Sequence, residues 1–321
     1  YLRAPGGYQL SDRDRSTTDD AAQPMTAAAL VERAVRFASS RIYPAAAADL
    51  DRALSLEPQN ATIRAARALL QLEQNDLVAA QAEIDAGMAL DPQNMRVLSA
   101  TARVAMARSR PADAVTMLTR MLEIEPNAGS IVYPQRAQAY RALNDQVHEL
   151  ADIDSALAIN AQNEDLYLAR FNALKRLDRS DEALKVADDL VAAMPDSNYA
   201  WVIAARIHGR LGERDAAMAA FARAITIKPE AYIYINRAQS RPLDDVAARM
   251  ADIDLALQLE PDNNEALAER ARLQTVSGDP FGAAMTLTTA LSSEPDDSVL
   301  LNQRRIAYAR AHRTALAERD F

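Results

Sequence analysis

The side chains able to do chemistry are few, and they are far apart. His148, His208 and His312 are the only histidines of the chain. Histidine is the usual general base and metal ligand near neutral pH, yet the three lie in different repeats, too far apart in a solenoid to converge on one site. There is no His-Glu-x-x-His, no phosphate-cradling glycine loop, no nucleophile elbow and no calcium loop. The absence of cysteine excludes disulfides, thiolate zinc sites and a cysteine nucleophile. Carboxylates do pair, as Asp152/Asp154 and Asp252/Asp254, within a phrase Ala-Asp-(Leu/Ile)-Asp that recurs at 48–51, 151–154 and 251–254. Two residues apart on a helix diverge by ~200°, so such a pair cannot serve one substrate as acid and base. These aspartates alternate with apolar residues and are expected to face solvent. Trp201, with Tyr199 nearby, invites a stacking site. No catalysis, metal or cofactor is expected.

The elements that hold these residues are set by a period. Pro58, Pro92 and Pro126 are 34 residues apart, as are Pro195 and Pro229, and Pro261 and Pro295, with Ala161 in the vacant place between. Most close similar phrases, such as Ala-Leu-Ser-Leu-Glu-Pro (53–58) and Leu-Glu-Ile-Glu-Pro (122–126). A fixed period of this length marks a stacked repeat array. Within each repeat, apolar residues recur at helical spacing in two stretches of ~14 residues joined by a polar turn. Leu30, Ala34 and Phe37 share one face of the first stretch; Ala46, Leu50, Ala53 and Leu54 share a face of the second. Pro44 and Pro111 suit the first turn of second helices. Pro242 should end the first helix of the seventh repeat early, and the fourth repeat carries an extra residue near Ala128–Ser130.

Composition agrees with a solenoid. The chain has 321 residues, 49% hydrophobic but only 5% aromatic, so packing relies on Ala and Leu. The net charge of −9 argues against a generic nucleic-acid or anionic-membrane binder. No apolar run approaches the ~20 residues that span a bilayer. Residues 1–24 lack apolar periodicity and read as a linker or as the tail of an upstream domain. The array then occupies 25–321, with repeats at 27–60, 61–94, 95–129, 130–163, 164–197, 198–230, 231–263 and 264–297. A capping helix follows at 298–319, started by Ser298.

This pattern resembles the tetratricopeptide repeat family over residues ~27–321. The family's large fourth residue is matched by Leu30, Leu98, Tyr133, Tyr167, Trp201, Tyr234, Leu267 and Leu301. Its small eighth residue is matched by Ala34, Ala68, Ala102, Ala137, Ala205, Ala238 and Ala271, with Phe171 departing. At the small twentieth place Glu149 and Arg249 depart. The resemblance implies an all-α fold: an α-solenoid of antiparallel helix pairs in a right-handed superhelix. It makes Trp201 a helix-packing residue and puts His208 where the family keeps a packing aromatic; by the usual burial habits of histidine, a core or half-buried role is expected rather than a catalytic one.

The resemblance also implies that first helices line a concave groove, whose ligand-contacting places are mostly apolar or small in repeats one and two (Val31, Val35, Leu69, Leu72). From repeat three onward they supply Arg96, Arg103, Gln138, Arg141, Asn172, Lys175, Tyr199, Arg206, Arg210 and Gln239, with Tyr232 and Arg272 beside them. Arginine forks and amides suit carboxylates and extended peptide backbone. The expectation is a non-catalytic protein–protein interaction scaffold that holds an extended or acidic peptide segment. A chaperone-tail clamp is not expected, because Leu168 stands where that clamp has lysine. An alternative is the C-terminal accessory region of a larger bacterial envelope enzyme, transglutaminase-like or peptidase. Self-association is a further option, and nucleic acid and membrane insertion are not expected as partners. Bacterial cytoplasm and periplasm are both compatible, and the chain shows no targeting segment.

Overall fold

The structure, a computed structural model, describes residues 25–320. The expected linker or tail at 1–24 lies outside the described residues. Among those described, the chain is all helical with no strand. It divides into two units, one up to Ala161 and one from Gln162 onward.

The first unit contains α1 (Ala27–Ser39), α2 (Tyr43–Leu56), α3 (Ala61–Glu73), α4 (Leu77–Leu90), α5 (Met95–Ala107), α6 (Pro111–Ile124), α7 (Gly129–Ala142) and α8 (Gln146–Ile159). The second contains α9 (Glu164–Arg176), α10 (Ser180–Ala193), α11 (Asn198–Leu211), α12 (Arg214–Ile227), α13 (Ala231–Ser240), α14 (Val246–Leu259), α15 (Asn264–Val276), α16 (Pro280–Ser293), α17 (Ser298–Arg310) and α18 (Thr314–Ala317). Odd-numbered helices open each repeat and even-numbered helices close it. Within each unit every helix packs on its neighbours in sequence, which is the architecture of an α-solenoid.

Local chemistry explains the boundaries. Asn60, Asn94 and Asp297 cap α3, α5 and α17, their side-chain oxygens accepting backbone N–H bonds of 2.9, 3.0 and 2.7 Å. Pro44 and Pro111 do lie in the first turns of α2 and α6. The turn between the paired helices is one device repeated. Arg41, Asn75, Ser109, Asn144, Asp178, Gly212, Gly278 and His312 all have positive φ, between 55° and 88°. The seventh repeat lacks it: α13 stops after 10 residues, and Arg241 turns extended ahead of Pro242. In the fourth repeat the extra residue is absorbed by a 3₁₀ turn at Pro126–Ala128.

The core is a string of small clusters between adjacent helices. Ala34, Phe37, Ala46 and Leu50 close the first hairpin over Leu70, and Val202, Ala205, Ala220, Phe221 and Ala224 do the same work between α11 and α12 with Ile233. No cluster spans a whole unit, so stability is built from intrinsic repeat terms and nearest-neighbour contacts.

Two expectations need correction. The capping helix at 298–319 is not one helix. It begins after Asp297 rather than at a Ser298 cap, and α17 ends at Arg310 because His312 takes the same left-handed turn as its counterparts. The chain then re-enters a helix at α18 and a 3₁₀ turn to Asp320, so this segment starts a ninth hairpin. Nor do the recurrent aspartates all face solvent. The first of each phrase, Asp49, Asp152 and Asp252, is buried, while Asp51 and Asp154 are exposed. Each buried carboxylate takes paired bonds from an arginine on the preceding helix: Arg33 to Asp49 at 2.7 Å, Arg136 to Asp152 at 2.8 Å, and Arg237 to Asp252 at 3.1 Å, with Arg241 adding 2.7 Å. Arg304 and Asp320 repeat the pairing at 2.8 Å. Arg136 also donates to Thr119 and Arg304 to Thr288, which ties each clamp to the helix before it. Burying a charge is costly unless it is paired and hydrogen-bonded, and these bidentate contacts meet that condition.

Candidate functional site: the lining of the first helices

The odd-numbered helices carry every residue expected to contact a ligand. In the first unit, Arg96 and Arg103 lie two turns apart on α5, both exposed. Arg103 donates to Glu73 of α3 at 3.4 Å, whereas Arg96 makes no ion pair among the described residues. Gln138 and Arg141 are exposed on α7, and Arg141 stands 3.8 Å from the carboxylate of Glu149. Glu149 is itself buried in the tight helix–helix place where a small residue was expected.

In the second unit, Asn172 of α9 accepts a 2.9 Å bond from Arg210 of α11. Lys175 is exposed and Arg206 half-buried, and neither is ion-paired among the described residues. Tyr199 is exposed, 42% of its surface free, close enough to Tyr232 to act on it. Burial first, then Glu230 and Tyr199, push the Tyr232 hydroxyl up to about 12. Gln239 of α13 donates to Glu265 of α15 at 3.0 Å. Arg272 is bound to Glu269, which also holds Arg249 of α14 at 2.9 Å. Burial pulls the Glu269 carboxyl up, and the bonds and charges of Arg272 and Arg249 outweigh it, leaving it below the ordinary range.

The lining is therefore less one-signed than its residue types imply. Acids on neighbouring helices occupy Arg103, Arg141 and Arg272, and only Arg96, Lys175 and Arg206 among the cations named above keep an open guanidinium or ammonium. Exposed pairs of the Arg103–Glu73 kind are worth about 0–1 kcal/mol, so a ligand carboxylate can displace them.

An opening in the first unit joins the predicted Arg96 and Arg103 to the apolar groove places of repeats one and two. A trough of about 1060 Å³ runs over α1, α3 and α5. Val31, Val35, Ala38, Ala66 and Leu69 form its floor; Arg36, Arg41, Arg96 and Arg103 stand around it with Glu32, Glu57 and Glu73. The signal was present as the apolar and small groove places of repeats one and two. It was passed over because only polar side chains were counted as recognition elements.

The other chemical candidates resolve plainly. Trp201 Nε1–H donates to the carbonyl of Pro195 at 2.9 Å, and its ring packs against the cluster around Phe221. His208 is half-buried against Glu213 at 2.7 Å, while His148 is exposed, bonded to Asp145 at 2.7 Å and stacked on Tyr140. His312 serves the turn. Among the described residues no three His, Asp or Glu side chains gather as a metal site, and no helix is long and apolar enough to cross a membrane.

Residues 199–231, covering α11, α12 and the turn to α13, match the tetratricopeptide repeat family. That stretch carries a tetratricopeptide repeat, and the helix pairs on either side of it repeat the same architecture. Three solved tetratricopeptide-like structures show the same fold. A tetratricopeptide repeat protein from Parabacteroides merdae is 18% identical, with a TM-score of 0.52 over 78% of this chain and 98% of its own. Yeast Tom70 is 15% identical, with a TM-score of 0.59 over 85% of this chain; the match spans 59% of Tom70. PilF of Pseudomonas aeruginosa is 16% identical, with a TM-score of 0.51 over 67% of this chain and 97% of its own. At these identities the likeness is one of fold. No curated protein sequence matches the chain.

Proposed function

We propose that this protein is a non-catalytic tetratricopeptide-repeat scaffold that holds an extended, acidic peptide segment on the lining of its first helices. The observation that carries the reading is on α9 and α11. There a bonded amide–guanidinium pair, Asn172 and Arg210, is accompanied by two cations with no ion pair among the described residues, Lys175 and Arg206. An extended backbone presents free N–H and C=O groups that amides can meet, while the cations answer its carboxylates. Gln138 and Arg141 on α7, Arg96 and Arg103 on α5, and Tyr199 and Gln239 extend the same chemistry along the lining of each unit. The side chains that could do acid–base work are spent on structure, which supports the non-catalytic part of the reading.

The test is a panel of labelled extended peptides rich in Asp and Glu, measured by fluorescence anisotropy against the intact chain. Lys175→Glu with Arg206→Glu is expected to weaken capture on the order of a hundredfold, about 2.7 kcal/mol, with an unchanged circular dichroism spectrum. Affinity should also fall with salt, since the contacts are between exposed charges. Capture unaltered by the double reversal would reject the proposal.

A further inference from the structure

The trough over α1, α3 and α5 shares Arg96 and Arg103 with that lining but has a hydrocarbon floor in place of amides. From its geometry we infer that it docks an amphipathic α-helix of a partner protein, one with an apolar stripe flanked by acidic residues. Its floor is the apolar column of α1, the half-buried Val31 and the exposed Val35, set beside the half-buried Leu69 of α3. Consecutive helices alternate in direction, so α1 and α3 run the same way and leave a furrow between them along their axes. From Ala28 to Ala38 the α1 column covers ten residues, or ~15 Å at 1.5 Å per residue, the length of three helical turns. The same pair of helices already receives α2 on its other side by this ridge-and-groove fit.

An extended chain does not suit such a floor. Laid on hydrocarbon, its backbone N–H and C=O groups lose water and gain no partner, at a cost of roughly 1–3 kcal/mol each. A helix satisfies those groups internally and presents only side chains. Charge decides the flanks. Arg36 and Arg96 stand at the trough without an ion pair among the described residues, and Arg103 has only the exposed Glu73. Glu32 and Glu57 are the acids there without such a pair, against Arg36, Arg41 and Arg96, so the surplus at the rim is positive by one charge and asks for carboxylates beside the apolar stripe.

The experiment displays a library of segments about 16 residues long, some four helical turns, and selects them against the full chain. Selected peptides are then titrated against variants. Expected are sequences with apolar residues at i, i+3 or i+4, and i+7, with Asp or Glu on the flanks, whose affinity drops tenfold or more with Val35→Glu and severalfold with Arg96→Glu. Val35 is 56% exposed, so its substitution leaves the core intact. The same peptides should be indifferent to Lys175→Glu with Arg206→Glu, the variant that tests the extended-peptide reading, so either idea can fail alone. Selection of sequences without helical period, no selection at all, or affinity untouched by Val35→Glu would overturn the inference. So would a dimer in light scattering that Val35→Glu dissolves, which gives the trough to a second copy, or a tenfold gain in affinity on removing residues 1–24, which gives it to the chain itself.

Discussion

Replacing Asp152 by Asn tests how the buried clamps stabilise the array. The substitution keeps shape and removes the charge that Arg136 holds through two 2.8 Å bonds. Taking one partner from a buried pair costs about 3–5 kcal/mol, because the other charge stays buried and unpaired. Arg136 is not wholly stranded: its side chain is 16% exposed, it keeps the bond to Thr119, and it lies over the rings of Tyr133 and Tyr140. We therefore expect the lower part of that range, about 2–3 kcal/mol. Arg136→Leu with Asp152→Leu should recover nearly all of it, to within about 1 kcal/mol of the parent. The array supplies its own precedent, since Ala204 and Ala220 occupy the matching places in the sixth repeat. Urea unfolding gives the overall loss, and amide hydrogen exchange places it, since a solenoid need not unfold in one step. Protection should fall first in α7 and α8. A loss below about 0.5 kcal/mol for Asp152→Asn, or a double variant as unstable as the two single losses summed, would refute the argument.

Two further outcomes follow from single residues. Because the Glu269 carboxyl sits below the ordinary carboxylate range in the folded chain, its stabilisation is complete above that range and is lost as pH falls through its lowered value. Glu269→Gln should flatten this acid limb in urea titrations of stability against pH and lower stability at neutral pH, because Arg249 then loses its charge partner; an unchanged acid limb would show the shift to be without effect. Trp201→Phe removes one hydrogen bond to Pro195 and should cost about 1 kcal/mol while leaving peptide capture intact. Capture lost from a folded Trp201→Phe variant would restore the stacking site.

The sequence made the array legible because a proline-closed period and alternating helical faces are local signals. Pro242 shortening α13 and the extra residue near Ala128 could be read for the same reason. What escaped was non-local. The phrase Ala-Asp-(Leu/Ile)-Asp was read on its own helix, where Asp152 and Asp154 look equivalent, whereas burial of Asp152 depends on an arginine 16 residues earlier. The same 16-residue spacing joins Arg33 to Asp49 and Arg304 to Asp320, and that recurrence was available as a signal. The basic lining was overstated for a related cause: Glu73 and Glu149 lie on helices other than those of Arg103 and Arg141, so residue type alone did not disclose the pairing. The apolar places of the trough, Val31, Val35 and Leu69, are legible as groove positions, but residue type alone does not tell hydrocarbon facing an open furrow from hydrocarbon in a core.

The clamp also bears on how such an array can grow and change. Both of its halves lie within one repeat, so duplicating a repeat copies a matched acid and base together, and the new unit is solvated correctly from the first generation. Losing the clamp is harder, for it takes two changes with an unpaired buried charge between them. Repeats holding Arg33 with Asp49, or Arg136 with Asp152, are thus held to their chemistry by the intermediate rather than by the end point. Those holding Ala204 with Ala220 are free to drift.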